Sequence, residues 1–71
     1  MSVRKLFVPD MICSKCRALV LEALSKYPEI TVRVDLKDRE IFIEHLQGSK
    51  PDLLEIIQTL EQQGYPAKLL P

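Results

Sequence analysis

The chain reads ITVRVDL from residue 30 to residue 36 and EIFIEHL from residue 40 to residue 46, and these two stretches decide the fold. In the first stretch every second residue is apolar, which predicts a strand with one buried face. The second stretch alternates in the same way, with Ile41 and Ile43 on one face and Phe42 on the other. Three polar residues between the stretches supply a loop. We therefore predict a hairpin of two antiparallel strands.

Helices are predicted on either side of this hairpin, because apolar residues recur there at spacings of three and four. The first set is Leu19, Val20, Ala23, Leu24 and Tyr27, in a helix that stops near Pro28. The second set is Leu53, Ile56, Ile57 and Leu60. For the second helix, Ser49 and Asp52 resemble a capping box that places Pro51 in the first turn. Gly64 fits the C-terminal position that needs a left-handed backbone.

A short strand at Leu6 to Val8 and a last strand within Tyr65 to Leu70 complete the order βαββαβ. With short links and right-handed crossovers, this order gives a four-stranded antiparallel sheet covered on one face by two helices. The predicted fold is therefore the α+β, ferredoxin-like sandwich. Since 71 residues leave no room for a second core, we expect one domain over residues 1–71.

Charge and hydropathy narrow the classes of partner. Ten Lys and Arg balance ten Asp and Glu, so no net field draws the chain to a polynucleotide or an anionic membrane. The apolar run at Leu6 to Val8 is too short for a signal peptide or a membrane span. We expect no membrane insertion and a cytoplasmic protein, whose thiols stay reduced.

Both cysteines, Cys13 and Cys16, fall between the first strand and the first helix. Two thiols three residues apart, one on the loop and one in the first helical turn, can point at a common surface position. The positive end of the helix dipole favours the thiolate form of Cys16. Soft thiolates select soft ions such as Cu(I), and two in near-linear geometry leave the ion open to a third thiolate. The pair predicts metal binding or redox exchange.

The chain resembles the heavy-metal-associated domain family over essentially its whole length. This family comprises small copper metallochaperones and the N-terminal modules of metal-transporting P-type ATPases. The resemblance is carried by Leu6-Phe7-Val8 with Met11 and Cys13-Ser14-Lys15-Cys16, by Val32-Arg33-Val34-Asp35-Leu36, and by Gly64-Tyr65-Pro66-Ala67. It implies a copper(I) metallochaperone that passes the ion by thiolate exchange to a domain of a metal-transporting ATPase.

The resemblance also implies roles around the metal ligands Cys13 and Cys16. Met11 is expected to pack in the core and support the loop, and Tyr65 to approach the metal loop. Asp10 and Ile12 depart from the family pattern, which has Gly before the Met and often Thr or Ser after it. We interpret both departures as tuning metal preference or partner choice. Asp10 is expected to cap the loop rather than bind a metal.

Further expectations concern the surface cations and the single histidine. Lys15 and Arg17, with Lys68, are candidates for a basic rim that docks on an acidic partner domain. His45 lies near the far end of the third strand and is not expected to be a ligand. Exposed thiols also allow a homodimer in which two cysteine pairs share one metal.

Other functions remain open from the sequence. The thiols would also bind mercury, zinc or cadmium, and C-x-x-C before a helix also describes thiol-disulfide redox proteins. Phe7 and Phe42 are predicted on the face away from the core, where RNA-recognition motifs stack bases, but two glutamates flank Phe42 at a distance of two residues. No pattern of catalytic residues is evident, so we expect a protein that is not an enzyme.

Overall fold

The strands and helices follow the predicted order. The computed structural model describes residues 2–45 and 51–71. Its elements are β1 (Ser2–Phe7), α1 (Ser14–Leu24), β2 (Ile30–Asp35), β3 (Glu40–His45), α2 (Leu53–Gln62) and β4 (Lys68–Leu69). Within these residues the strands form one antiparallel sheet in the order β2-β3-β1-β4. The predicted ferredoxin-like fold is confirmed.

The register of the three long strands places one apolar row against the helices. Ile41 on β3 lies opposite Leu6 on β1 and opposite Val34 on β2. Residues directly opposite each other share a face of the sheet, so this row faces the same side across all three strands. The fully buried residues around it are Leu6, Val8, Met11, Val20, Leu24, Ile41, Ile43, Ile56 and Leu60. The core therefore lies between the sheet and the two helices.

A polar contact joins the segment that follows α1 to helix α2. The hydroxyl of Tyr27 lies 2.9 Å from the hydroxyl of Thr59 and donates to Glu55 Oε1 at 3.4 Å. Thr59 is the one polar side chain that is buried in the described part of the chain. A buried hydroxyl without a partner is costly, so this pair removes a penalty at the helix contact. None of the helices described is long and apolar enough to cross a membrane.

The β2–β3 hairpin has a longer loop than the sequence predicts. Strand β2 ends at Asp35, and Leu36 belongs to the turn that runs to Arg39. The cause is local, because Asp35 Oδ1 accepts the backbone N–H of Asp38 at 3.1 Å. An aspartate that binds the backbone further along the chain mimics a turn and interrupts the ladder. Arg39 closes the loop with a φ of 58°, in the left-handed region.

The second helix also begins differently. Its N-cap is Asp52, whose side chain accepts the N–H of Glu55 at 3.1 Å, so Pro51 precedes the helix instead of occupying its first turn. A carboxylate at this position satisfies a helix N–H that has no partner within the helix. The predicted cap Ser49 lies outside the described residues, as does Leu46 at the predicted end of β3.

Strand β1 spans Ser2–Phe7, so it begins earlier than predicted and does not include Val8. Helix α1 and strand β4 are shorter than predicted. Helix α1 ends at Leu24, so Tyr27 lies beyond it, although Tyr27 still packs against the core. Strand β4 spans only Lys68 and Leu69, which lie opposite Phe7 and Leu6. Pro66 has no N–H to donate to a ladder, which is consistent with pairing that starts only after it.

Gly64 reverses the chain after α2, as predicted. Its φ is 88°, its N–H donates to the carbonyl of Glu61 at 2.9 Å, and the N–H of Tyr65 donates to Leu60 at 2.9 Å. This pair of bonds is a Schellman motif, in which the residue after the C-cap adopts a left-handed conformation. The motif ends the helix and fixes the backbone position of Tyr65 beside the end of α2.

We predict that Gly64→Ala lowers the free energy of unfolding by about 1 kcal/mol, because a Cβ strains a left-handed backbone. A Cβ at this position meets nothing within 4 Å, so the loss reports the backbone alone. Urea denaturation followed by circular dichroism measures it. Gln63→Ala, one residue earlier at φ −87°, is the control and is expected to change stability little. Equal stability of the two variants would contradict the prediction.

Candidate metal centre

The loop between β1 and α1 is held at both ends by the body of the protein. The N–H of Val8 donates to the carbonyl of Arg39 in the hairpin loop at 2.8 Å, and the N–H of Met11 donates to Val8 at 3.1 Å. Pro9 follows Val8 and suits the second position of such a turn because its φ is fixed. The Met11 side chain is fully buried in the core. The loop is therefore anchored immediately before the cysteines.

The two cysteines meet at the start of α1. Cys13 is the N-cap residue, with an extended backbone, and its Sγ accepts the N–H of Cys16 at 3.3 Å. The two sulfur atoms lie 2.7 Å apart, longer than the bond of about 2.05 Å in a disulfide, and both thiols are free. Cys13 is exposed, whereas Cys16 is half-buried against the core. The sulfurs thus share one position at the protein surface.

The surroundings of Cys16 favour its thiolate. The hydrogen bond with the Cys13 side chain contributes most to lowering the pKa of Cys16 to about 7, and a hydrogen bond from the Tyr65 side chain lowers it further. Partial burial opposes the shift, and backbone hydrogen bonds from Ile12 and Cys13 add to it. No acidic residue lies in the first turn of α1 to counteract the helix dipole. A substantial fraction of Cys16 is therefore thiolate at neutral pH, which is the form that can bind a metal.

Tyr65 lies beside the cysteines, where the resemblance placed it. Its hydrogen bond to Cys16 is the main cause that raises the pKa of Tyr65 to about 12, and burial and the charges of Cys16, Cys13 and Asp10 add smaller increments. The hydroxyl therefore keeps its proton and donates a hydrogen bond to the sulfur. The Schellman motif at Gly64 directs the chain from the end of α2 back to this point. The site is built from two segments far apart in sequence.

The structure places the remaining predicted loop residues as follows. Met11 is buried in the core, whereas Ile12 is 67% exposed. Asp10 is also exposed, and its backbone carbonyl accepts the N–H of Ile12 at 3.1 Å. The N-cap of α1 is Cys13, and the expectation that Asp10 caps the loop stays a prediction. Asp10 acts on the site through its charge near Tyr65.

The three cations predicted to form a basic rim do not all lie near each other. Lys15 and Arg17 are exposed on α1 next to the cysteines. Arg17 also lines a groove at the β2 edge of the sheet, whereas Lys68 lies on β4 at the other edge. His45 pairs with Ser2 and Ile30, at the end of the sheet opposite to the cysteine loop. Within residues 2–45 and 51–71, no group of three or more His, Cys, Asp or Glu side chains is arranged to hold a metal.

Sequence reasoning missed two contributors to the site. The first is the capping role of Cys13, although Cys13 and Cys16 have the spacing of an N-cap residue and the N3 residue whose N–H it binds. That spacing was a usable signal. The second is the carbonyl of Arg39, which holds Val8 from a loop 31 residues later. No local pattern reveals such a long-range backbone contact.

We predict that alkylation of Cys16 by iodoacetamide has a pH midpoint of about 7 in the wild type, because the thiolate is the reactive form and is lost as the pH falls. Removing either hydrogen-bonding side chain should raise the midpoint, more in Cys13→Ala than in Tyr65→Phe. Alkylation rates are read by mass spectrometry of the peptide that contains Cys16. Tyr27→Phe, which leaves the site intact, is the control. An unchanged midpoint in Tyr65→Phe would show that the Tyr65 bond does not act on the sulfur.

Several solved structures share this fold over nearly the whole chain. MerP from Ralstonia metallidurans CH34, in its oxidized form, is 25% identical, with a TM-score of 0.83 over 99% of this chain and 97% of that one. The CopZ metallochaperone is 26% identical, with a TM-score of 0.81 over 94% of this chain and 100% of that one. A copper binding domain of HMA7, a P-type ATPase, shares the fold at 21% identity, with a TM-score of 0.81, covering 100% of this chain and 96% of that one.

Comparison with sequence families gives a direct assignment. No curated protein matches the chain significantly. The model of the heavy-metal-associated domain, in contrast, matches residues 5–66, which include both cysteines and Tyr65. Because this match spans most of the sequence, the chain belongs to the heavy-metal-associated domain family.

Proposed function

We propose that this protein carries Cu(I) on Cys13 and Cys16 and delivers it by thiolate exchange. The observation that carries the proposal is the pair of free sulfurs that lie 2.7 Å apart at the surface, one of them with a pKa lowered to about 7. Two thiolates are a donor set that suits a soft monovalent ion. The likeness to CopZ, a metallochaperone at 26% identity, supports carriage as the role.

The different exposure of the two sulfurs sets an order for transfer. Cys13 is exposed, whereas Cys16 is half-buried and held by Tyr65. An incoming acceptor thiolate forms a sulfur–copper bond first, and the bond to Cys13 then breaks while Cys16 still holds the ion. A second acceptor thiolate replaces Cys16 in the same way. Copper remains Cu(I) throughout, and no other bond of the protein changes, so the proposed role requires no enzymatic step.

The proposed acceptor is a metal-binding domain of a metal-transporting P-type ATPase. A copper binding domain of such an ATPase has the same fold as this chain, so donor and acceptor would present their thiols from similar scaffolds. Lys15 and Arg17 flank Cys16 on the exposed surface of α1 and form a basic rim. Opposite charge on the acceptor would orient the encounter, since charge governs association rate more than final affinity. For this exchange, the protein and its acceptor domain are both proposed to lie in the cytoplasm.

Asp10 and Ile12 are proposed to adjust the site. The Asp10 carboxylate adds negative charge near Tyr65, and Ile12 presents an apolar side chain beside Cys13 where a hydroxyl is frequent in the family. A negative charge next to thiolates favours a cation of higher charge more than it favours Cu(I). The pair therefore influences the choice between copper and other soft ions such as mercury or cadmium.

We predict that the reduced protein takes one equivalent of Cu(I) from a competing chelator, because both sulfurs converge on one position. The double variant Cys13→Ser/Cys16→Ser should take none. Loss of chelator absorbance measures the transfer at neutral pH under anaerobic conditions. A wild type that fails to compete at one equivalent, or that competes no better than the double variant, would refute copper carriage.

We predict that Lys15→Glu/Arg17→Glu slows copper transfer to an isolated ATPase metal-binding domain about tenfold without weakening Cu(I) binding, since charge reversal changes steering and not the sulfurs. Stopped-flow measurements at two salt concentrations give the rate. The matched control is Arg4→Glu/Lys26→Glu, an equal charge change at exposed positions away from the cysteines. The rim has no role in docking if both double variants transfer copper at the same rate.

A further inference from the structure

The outer edge of β2 has no strand beside it. In the sheet order β2-β3-β1-β4, β2 pairs with β3 on its inner side, and nothing in the described part of the chain pairs with its outer side. An edge strand presents unpaired backbone N–H and C=O groups, which form a template for another strand. At six residues, β2 is as long as the strands in the middle of the sheet. The other edge, β4, has only two residues.

Open space lies beside the C-terminal half of this edge. A groove of about 560 Å³ runs along it and is bordered by apolar, aromatic and charged side chains. These side chains are Arg17, Arg33, Val34, Asp35, Leu36 and Phe42. The groove therefore lies where an added strand would have to approach β2.

The sequence of the edge is complementary to itself. Arg33 and Asp35 stand on either side of Val34 and share the face of the sheet that is turned away from the helices, because they lie opposite Phe42 and Glu40. If two copies of β2 pair antiparallel with Val34 opposite Val34, each Arg33 lies opposite the other copy's Asp35. On the opposite face, Val32 then lies opposite Leu36, the first residue of the other copy's hairpin turn. Opposite charges and apolar pairs at such positions stabilise an antiparallel pair.

Existing contacts already place both charged groups on that face. The guanidinium of Arg33 lies over the ring of Phe42, 5.2 Å from its centroid. Asp35 uses Oδ1 to accept the N–H of Asp38, and a carboxylate has a second oxygen with further acceptor capacity. Ordering these side chains before association reduces the entropy that binding has to offset.

We propose that β2 pairs with β2 of a second copy of this chain, joining two four-stranded sheets into one of eight strands about a twofold axis at Val34. The cysteine loop lies between β1 and α1 and takes no part in this pairing, so the dimer forms without metal. It is distinct from a dimer in which two cysteine pairs share one ion. In this register only Arg33, Val34 and Asp35 of each β2 lie opposite strand residues of the other copy. Such a short edge buries less surface than a standard stable interface, so association is weak and shows at high concentration.

The test is sedimentation equilibrium of the full chain from about 20 µM to about 1 mM, a range that covers weak association. Measurements use metal-free buffer with a reductant. We expect the wild type and Cys13→Ser/Cys16→Ser to change from the mass of one chain towards that of two over the same concentrations. A monomeric wild type at the highest concentration overturns the proposal, as does a dimer that is lost in the cysteine variant. Because the cysteine variant lacks both thiols, its dimerisation tests the β2 pairing independently of copper carriage.

Charge reversal tests the register. Arg33→Asp and Asp35→Arg should each weaken the dimer about tenfold, because each places like charges opposite each other across the axis. An equimolar mixture of the two variants should regain the dimer, since opposite charges then face each other again. Lys68→Asp, the same charge change on the same face at the other edge, should leave the dimer intact. Circular dichroism confirms that each variant is folded. A mixture that stays monomeric while both variants are folded overturns the proposed register.

Discussion

Burial of Met11 in the core is the constraint on which the cysteine site depends. Met11 is completely inaccessible, and it is the last residue fixed by a backbone bond to Val8 before the cysteines begin. Burying a side chain of this size stabilises the fold by about 1.5–3 kcal/mol, which offsets part of the cost of ordering the loop. With Met11 fixed inward, Ile12 and Cys13 lie outside. The exposure of the first sulfur therefore follows from the packing of its neighbour.

A second anchor acts from the other end of the chain. The left-handed turn at Gly64 ends α2 and brings Tyr65 to Cys16, so the environment of the sulfur depends on a backbone conformation 48 residues later in the sequence. Tyr65 keeps its proton chiefly because its hydroxyl donates a hydrogen bond to Cys16, which raises the pKa of Tyr65, and the same bond favours the thiolate of Cys16. The raised pKa of Tyr65 and the lowered pKa of Cys16 thus share one cause, the hydrogen bond between the two side chains. Cys13 has no such hydroxyl beside it among the described contacts, which makes the two sulfurs unequal.

Alternation and spacing were sufficient to predict the fold because they report the face on which each residue is buried. The rows through Leu6, Ile41 and Val34 satisfy that pattern in all three long strands. The limits of the elements were less predictable, since Asp35 and Asp52 end a strand and cap a helix through side-chain bonds to the backbone that compete with regular pairing. For the site, the sequence indicated the cysteines and the resemblance indicated Tyr65. The carbonyl of Arg39 required knowledge of the tertiary fold.

The face of the sheet away from the helices bears on the RNA-binding alternative. Phe42 stands at its centre, and the ring lies 5.2 Å from the Arg33 guanidinium and 5.6 Å from the Lys5 ammonium. Cations over an aromatic face are attracted by its electron density, so a base could stack on this ring only by displacing them. The same contact holds Arg33 on that face at the edge of the sheet. The aromatic residue that resembled a base-stacking platform thus acts within the sheet, where it orders a charged group beside the open strand β2.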